Sequence, residues 1–216
     1  MRDTRMSSKY FEDYLGYQYT RIEKKKVKID TNDGDKEKTQ RVLLSLVGYE
    51  IDLLRAEFSI GAPAEILKGL LLDAASDISA YANPTKETLT VALSLSVMLD
   101  CPEAAEMITL AHSTCVKSDR VLTCLATFAS TKEMVWKTSL SLEEEYSALE
   151  KGIDEESLAA YLSDWYTNHS DYAWYNAHLR DTETYCGYWS FEAAALAKIA
   201  GVRTEHLSEN EYFPVL

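Results

Sequence analysis

The residues able to do chemistry are few and scattered. The chain has four cysteines (Cys101, Cys115, Cys124, Cys186) and four histidines (His112, His169, His178, His206). No two cysteines stand as C-x-x-C and no histidine pair joins them, so the ligand spacing of a zinc site is missing. Cys186 lies in Tyr185-Cys186-Gly187-Tyr188-Trp189, just ahead of a helical pattern. A thiolate at a helix N-terminus can be activated, but no histidine neighbours this one, and a buried structural thiol explains it more simply. Glu23-x-Lys25 is half of a nuclease motif. That tripeptide is common by chance, and here it lacks its acidic partner and strand context. Phosphate-binding glycine loops, G-x-S-x-G and H-E-x-x-H are all absent. The sequence therefore calls for no catalytic residue, no metal and no cofactor.

What remains is carboxylates and aromatics. Glu143-Glu144-Glu145 and Asp154-Glu155-Glu156 form two acidic runs, followed by Asp164 and Asp171. Acids at helix N-termini suit the helix dipole, which explains the runs without any partner. The same carboxylates could also mimic phosphates and dock in a basic cleft. Trp165, Tyr166, Tyr172, Trp174 and Tyr175 lie among these acids, and Tyr185, Tyr188, Trp189 and Phe191 follow. One helix face cannot bury all of them. Tyr and Trp beside carboxylates suit a protein-binding hot spot, with Trp174 and Tyr175 as anchors. A packed aromatic core is the competing reading, above all for Trp165 and Trp189.

Charge separates the chain into two parts. The net charge is −13, yet residues 1–41 hold 11 Lys/Arg against 8 Asp/Glu, and residues 141–216 hold 4 against 15. Such a surface repels nucleic acid and anionic membranes and attracts basic proteins, although acidity also serves solubility alone. The N-terminus has no apolar signal core. The longest apolar stretch, Val91 to Leu99, is far short of the ~18–20 residues of a membrane span. The expectation is a cytoplasmic protein with reduced thiols.

The elements that must carry these residues read as helices. With 46% hydrophobic residues and few breakers, a sizeable core is within reach. Helices are expected over Ser7–Ile29, Glu37–Phe58 and, after Gly61-Ala62-Pro63, a third burying Ile66, Leu67, Leu70, Leu71 and Ile78. A fourth carries Leu89, Ala92, Leu93 and Val97, and a fifth runs from Pro102 to about Val116. Ser118-Asp119 reads as the cap of a helix over Arg120–Phe128. Residues Thr131 to Ser139 give a blurred pattern, open to a short helix or an extended piece. Ser141-Leu142-Glu143-Glu144 matches a capping box for a helix to about Lys151. Leu158, Tyr161, Leu162, Trp165 and His169 mark another helix, Asp171–Leu179 a further one, and Tyr188–Ala200 the last, stopped by Gly201. Asp30 to Asp35 is a polar loop. No repeat of fixed period appears. The fold class is all-α: a compact array of antiparallel helical hairpins, roughly eight to ten helices.

The run Tyr185-Cys186-Gly187-Tyr188-Trp189-Ser190-Phe191-Glu192-Ala193-Ala194-Ala195-Leu196-Ala197-Lys198-Ile199-Ala200-Gly201 closely resembles the C-terminal signature of the PoNi immunity proteins. Arg2-Asp3, Tyr10-Phe11-Glu12-Asp13-Tyr14 and Arg21-Ile22-Glu23 resemble that family's N-terminal region. The resemblance implies a helical protein split into an N-terminal region (1–120) and a C-terminal region (121–216). It implies a partner too: a PoNe-type DNase toxin delivered between bacteria by secretion systems such as type VI, which the immunity protein binds and neutralises. It brings no catalytic residues. Tyr185, Gly187, Tyr188, Trp189, Ser190, Phe191 and Glu192 are expected to serve folding. Toxin contacts are expected at Glu143, Glu144, Glu145, Asp154, Glu155, Glu156, Asp164 and Asp171, with Trp174 and Tyr175. No direct nucleic-acid or membrane binding is expected, and the oligomeric state stays open. A helical scaffold for another basic partner is the alternative.

Overall fold

Five of the α-helices among the described residues start where a side chain accepts from a free N–H group. In the computed structural model, which describes residues 1–32, 34–180 and 184–216, α1 (Ser8–Asp30) is capped by Ser7, α2 (Lys36–Ile60) by Asp35 and α4 (Lys86–Met98) by Thr85. Asp119 caps α7 (Arg120–Thr131), and Asp154 caps α8 (Glu155–Asn168) in a reciprocal box with Ser157. α3 (Ala64–Ala80) follows Pro63, and α5 (Pro102–Ala111) opens on a proline, whose fixed φ suits a first turn. A short α6 (Ser113–Ser118) and a terminal α9 (Phe191–Ala200) complete nine α-helices among the described residues. α9 ends on Gly201 at φ 64°, a left-handed cap that costs glycine least. Three 3-10 segments (Glu144–Leu149, Ala177–Leu179, Leu207–Glu209) join them. Among the described residues the one β-type pairing is a single bridge, Asp119 to Ser141. The all-α class follows. Asp33, from the expected polar loop, lies outside the described residues.

α4 forms the centre of the fold. Every residue from Leu89 to Met98 is buried, so the helix is enclosed on all sides. It packs against α2, α3, α5, α7 and α9. Its C-terminal carbonyls of Val97 and Met98 accept bonds from Lys198 of α9 (2.9 and 3.2 Å), whose ammonium also reaches Asp100 (2.9 Å). α1 lies along α2, and α2 along α3, so one continuous core runs through the array.

Several local expectations yield to tertiary contacts. Ile66 is exposed, because α3 turns only Leu67, Leu71, Ala74, Ala75 and Ile78 inward. α5 stops at Ala111: His112 leaves helical geometry, and its Nε2 lies 2.8 Å from the Ile78 carbonyl. The capping box at Ser141 does not form. The Ser141 hydroxyl donates to the Ser118 carbonyl (2.8 Å) and its own carbonyl accepts from Arg120, leaving a 3-10 turn to begin after Glu143. Residues 132–137 are irregular. Arg120, itself buried, holds this excursion by donating to the carbonyls of Thr138, Leu140 and Glu150 (2.9, 3.0 and 3.3 Å). Asp171–Leu179 is a series of turns with one 3-10 segment, broken at Asn176 by a φ of 58°. The last helix begins at Phe191 rather than Tyr188, because residues 185–190 run as extended chain.

A buried acid ties the first three helices. Glu50 of α2 is 4% exposed and sits 3.2 Å from Lys26 of α1, which also faces Asp77 of α3. Burial, and then Asp77, push its carboxyl up to about 8. The folded chain thus holds a proton between about pH 4.5 and 8 that the unfolded chain gives up, so this group's contribution to stability falls as pH rises through that window. Glu50→Gln should remove that slope: the loss of stability between about pH 5 and 8 should shrink by about 3 kcal/mol, or roughly 6–12 °C in Tm. Thermal melts of both proteins across that range check it, and parallel slopes would place the proton elsewhere.

Candidate functional site

The extended run 185–190 threads between the two ends of the chain. Tyr10 of α1 donates its hydroxyl proton to the Tyr185 carbonyl and accepts from the Tyr185 N–H, both at 2.9 Å. The Tyr185 hydroxyl donates to Asp3, which is fully buried and also accepts the Arg5 N–H (2.8 Å). On the other side, the Ser59 hydroxyl of α2 reaches the Cys186 carbonyl (2.9 Å) and accepts the Trp189 indole N–H (2.8 Å). Gly187 sits at the crossing with φ 114°. A Cβ there would lie 2.1 Å from Ser59 Oγ and 2.6 Å from Trp189 Nε1, so the position excludes every other residue on both counts.

Glu192, in the first turn of α9, is 5% exposed. One oxygen accepts three bonds: from Tyr161 (2.8 Å) and Trp165 (2.6 Å) of α8, and from Ser190 (2.7 Å). Burial, and then the charge of Glu192, hold the Tyr161 phenol well above its ordinary range, so it stays a neutral donor. The aromatics stack around this point. Trp165 faces Trp174 at 5.5 Å, and Tyr166 lies between Tyr175 (4.5 Å) and Tyr212 (5.2 Å). The Trp174 indole donates to Glu87 (2.9 Å), which Arg55 holds at 2.6 Å.

Trp174 and Tyr175 are thus half-buried members of this stack, each keeping only part of its surface for a partner. Of the acids, Glu145 faces His169 (3.8 Å) in a narrow cleft, where burial raises its carboxyl above the ordinary range. Glu143 is exposed but paired with Lys86 (2.8 Å), which also holds Asp119 (2.7 Å). Asp154 is spent on its cap, and the Ser157 N–H lowers its pKa. Asp164 accepts a bond from Ser163 (3.3 Å) and is exposed. The side chains of Glu144, Glu155, Glu156 and Asp171 form no ion pair or hydrogen bond with the described residues.

Cys186 is 4% exposed, and burial, then Asp52, hold its thiol well above its ordinary range, so it is no thiolate near neutral pH. No group of His, Cys, Asp or Glu among the described residues could hold a metal ion, and no helix among them is long and apolar enough to cross a membrane. Sequence reasoning placed Glu192 in a folding signature without seeing its three donors. The signal was there: apart from Lys198, Glu192 is the one charged residue in an apolar helix, and an acid so placed must find partners.

Removing that acid is the sharpest test of the site's construction. Glu192→Ala should cost about 3–5 kcal/mol, because three buried donors lose their acceptor. Glu192→Gln, which keeps an acceptor oxygen, should cost roughly half as much or less. Urea unfolding followed by far-UV circular dichroism measures both, and equal losses would mean the charge matters more than the acceptor.

Residues 117–215, a little under half of the chain, match a family model described as PoNe immunity proteins (PoNi), C-terminal. No curated protein and no solved structure matches the chain. The matched span contains the extended run, Gly187, Glu192 and the aromatic stack, and over it the chain is similar to the PoNe immunity proteins (PoNi).

Proposed function

We propose that this protein neutralises a cognate PoNe-type DNase by binding it one-to-one, without turnover, through the acidic surface carried by residues 143–171. Similarity to the PoNe immunity proteins over residues 117–215 supports a toxin partner in general terms. The DNase target, the surface used and the protection of the producing cell, in its cytoplasm and in the setting of type VI or related secretion, belong to this reading. Direct contact with nucleic acid has no part in it. The observation that carries it is the set of unspent carboxylates, Glu144, Glu155, Glu156 and Asp171, in a region with 15 acids against 4 bases. A DNase must hold a basic, phosphate-binding cleft. Carboxylates free of internal partners are the ones that can steer and meet it. Glu143, Glu145, Asp154 and Asp164 would add to the field while also serving the fold, and Trp174 and Tyr175 would offer their exposed edges as anchors. We propose further that regions 1–120 and 121–216 act as one unit, since Asp3, Tyr10 and Ser59 all bind the extended run.

Plasmid degradation by the nuclease encoded beside this gene, titrated with the protein, tests the reading. Protection should saturate near one equivalent. Reversing Glu144, Glu155, Glu156 and Asp171 together to Lys should weaken binding by about two orders of magnitude, mainly through association rate, with the helical signal intact. Unchanged affinity would remove these acids from the interface, and absent protection by the folded wild type would overturn the function itself.

A further inference from the structure

A groove of about 510 Å³ opens beside the aromatic stack, between α2, the α3–α4 connection and the Trp174 turn. Its floor is a stripe of α2 at i, i+4 and i+8: Leu44, Gly48 and Asp52. Leu44 is 57% exposed, an unusual position for a leucine that lines a concavity. Gly48 stands in the middle of a 25-residue helix, where glycine is the least favourable residue after proline. A Cβ built on it meets nothing within 4 Å, so no contact inside the chain uses the space. Gly16 and Gly69 are equally open, but neither lies in this groove.

The groove's charges are unevenly spent. Arg55 is committed to Glu87 at 2.6 Å, and Arg180 on the rim donates to the carbonyls of Ala173 (2.8 Å) and Tyr175 (2.7 Å). Asp52, with 39% of its side chain exposed, has Arg55 only at 3.9 Å and the Cys186 thiol at 3.7 Å. A carboxylate short of counter-charge thus faces an open space walled by Tyr81 and Trp174. Aromatic walls and a carboxylate are the chemistry that holds a guanidinium. We infer that this groove receives an arginine side chain presented by the cognate toxin, its stem along Leu44 and Gly48 and its head on Asp52. The inference rests on the toxin-binding reading above and gives it an anchor outside the acidic runs. The volume leaves room for the side chain and part of the loop that bears it.

Calorimetric titration with the nuclease encoded beside the gene tests it, each variant also being melted to check its fold. Gly48→Phe, which fills the groove, should raise Kd at least about 30-fold, and Asp52→Asn about tenfold, with Tm preserved. Gly48→Ala should raise Tm while leaving Kd within about threefold. If wild type binds and Gly48→Phe binds equally, the groove is overturned while the immunity reading stands. If Gly48→Phe fails but Asp52→Asn binds as wild type, the occupant is apolar and the arginine is overturned. If the wild type alone forms a dimer that Gly48→Phe dissolves, a second copy is the occupant and the inference falls. If the folded wild type binds no nuclease, the immunity reading itself falls.

Discussion

The buried carboxylate of Glu192 sets the terms for the C-terminal half. A carboxylate at 5% exposure is tolerable only when its oxygens are met by donors, and all three donors must be present together. Tyr161 and Trp165 bring α8, and Ser190 brings the extended run that leads into α9. The α8–α9 angle, the aromatic stack and the path of residues 185–190 are therefore one arrangement. Tyr161 and Trp165 are also large side chains in the core, so packing and polar satisfaction ask for the same geometry.

That arrangement leans on the N-terminal half. Among the described residues the extended run has no partner strand, so its backbone groups must be met by side chains and by single contacts. Tyr10 and Ser59 provide them, Asp3 accepts the Tyr185 hydroxyl, and all three come from the first 60 residues. Arg2 fixes the chain end that carries Asp3 by donating to the carbonyls of Phe58 and Ala62. Gly187 is the point where both halves press closest, and the missing side chain is what lets Ser59 and Trp189 bond across it. The family match covers residues 117–215, yet the groups that hold its extended run lie mostly outside that span.

Local signals in the sequence located most of the helices, and long-range contacts decided the rest. Caps such as Asp119 and stops such as Gly201 act within a few residues, so they were readable, and α1, α2, α4 and α8 lie where periodicity put them. Ser141 looked like a cap, but its hydroxyl and carbonyl are taken by Ser118 and Arg120, more than 20 residues away. Residues 171–179 looked helical, but stacking of Trp174 on Trp165 and Tyr175 on Tyr166 outweighs a propensity that is only moderate for aromatics. Of the residues singled out for binding, the sequence could not separate acids that serve the fold from acids left over. Glu143 and Glu145 resemble Glu144 as letters, and only the positions of Lys86 and His169 distinguish them.

That separation is what a binding protein of this kind needs. A carboxylate already paired with Lys86 or bound to a helix N-terminus offers a cation little, because the new contact must replace an old one. A solvated carboxylate offers its full field, screened only beyond about 8–10 Å at ordinary salt. The fold spends Glu192, Glu50, Asp3 and Asp119 internally, under helices and aromatics that cannot rearrange without unfolding. Glu144, Glu155, Glu156 and Asp171 remain outside, on turns and a helix end held by that interior. A rigid body bearing uncommitted charge meets a basic partner without first breaking its own contacts, so the gain on binding is not consumed by reorganisation.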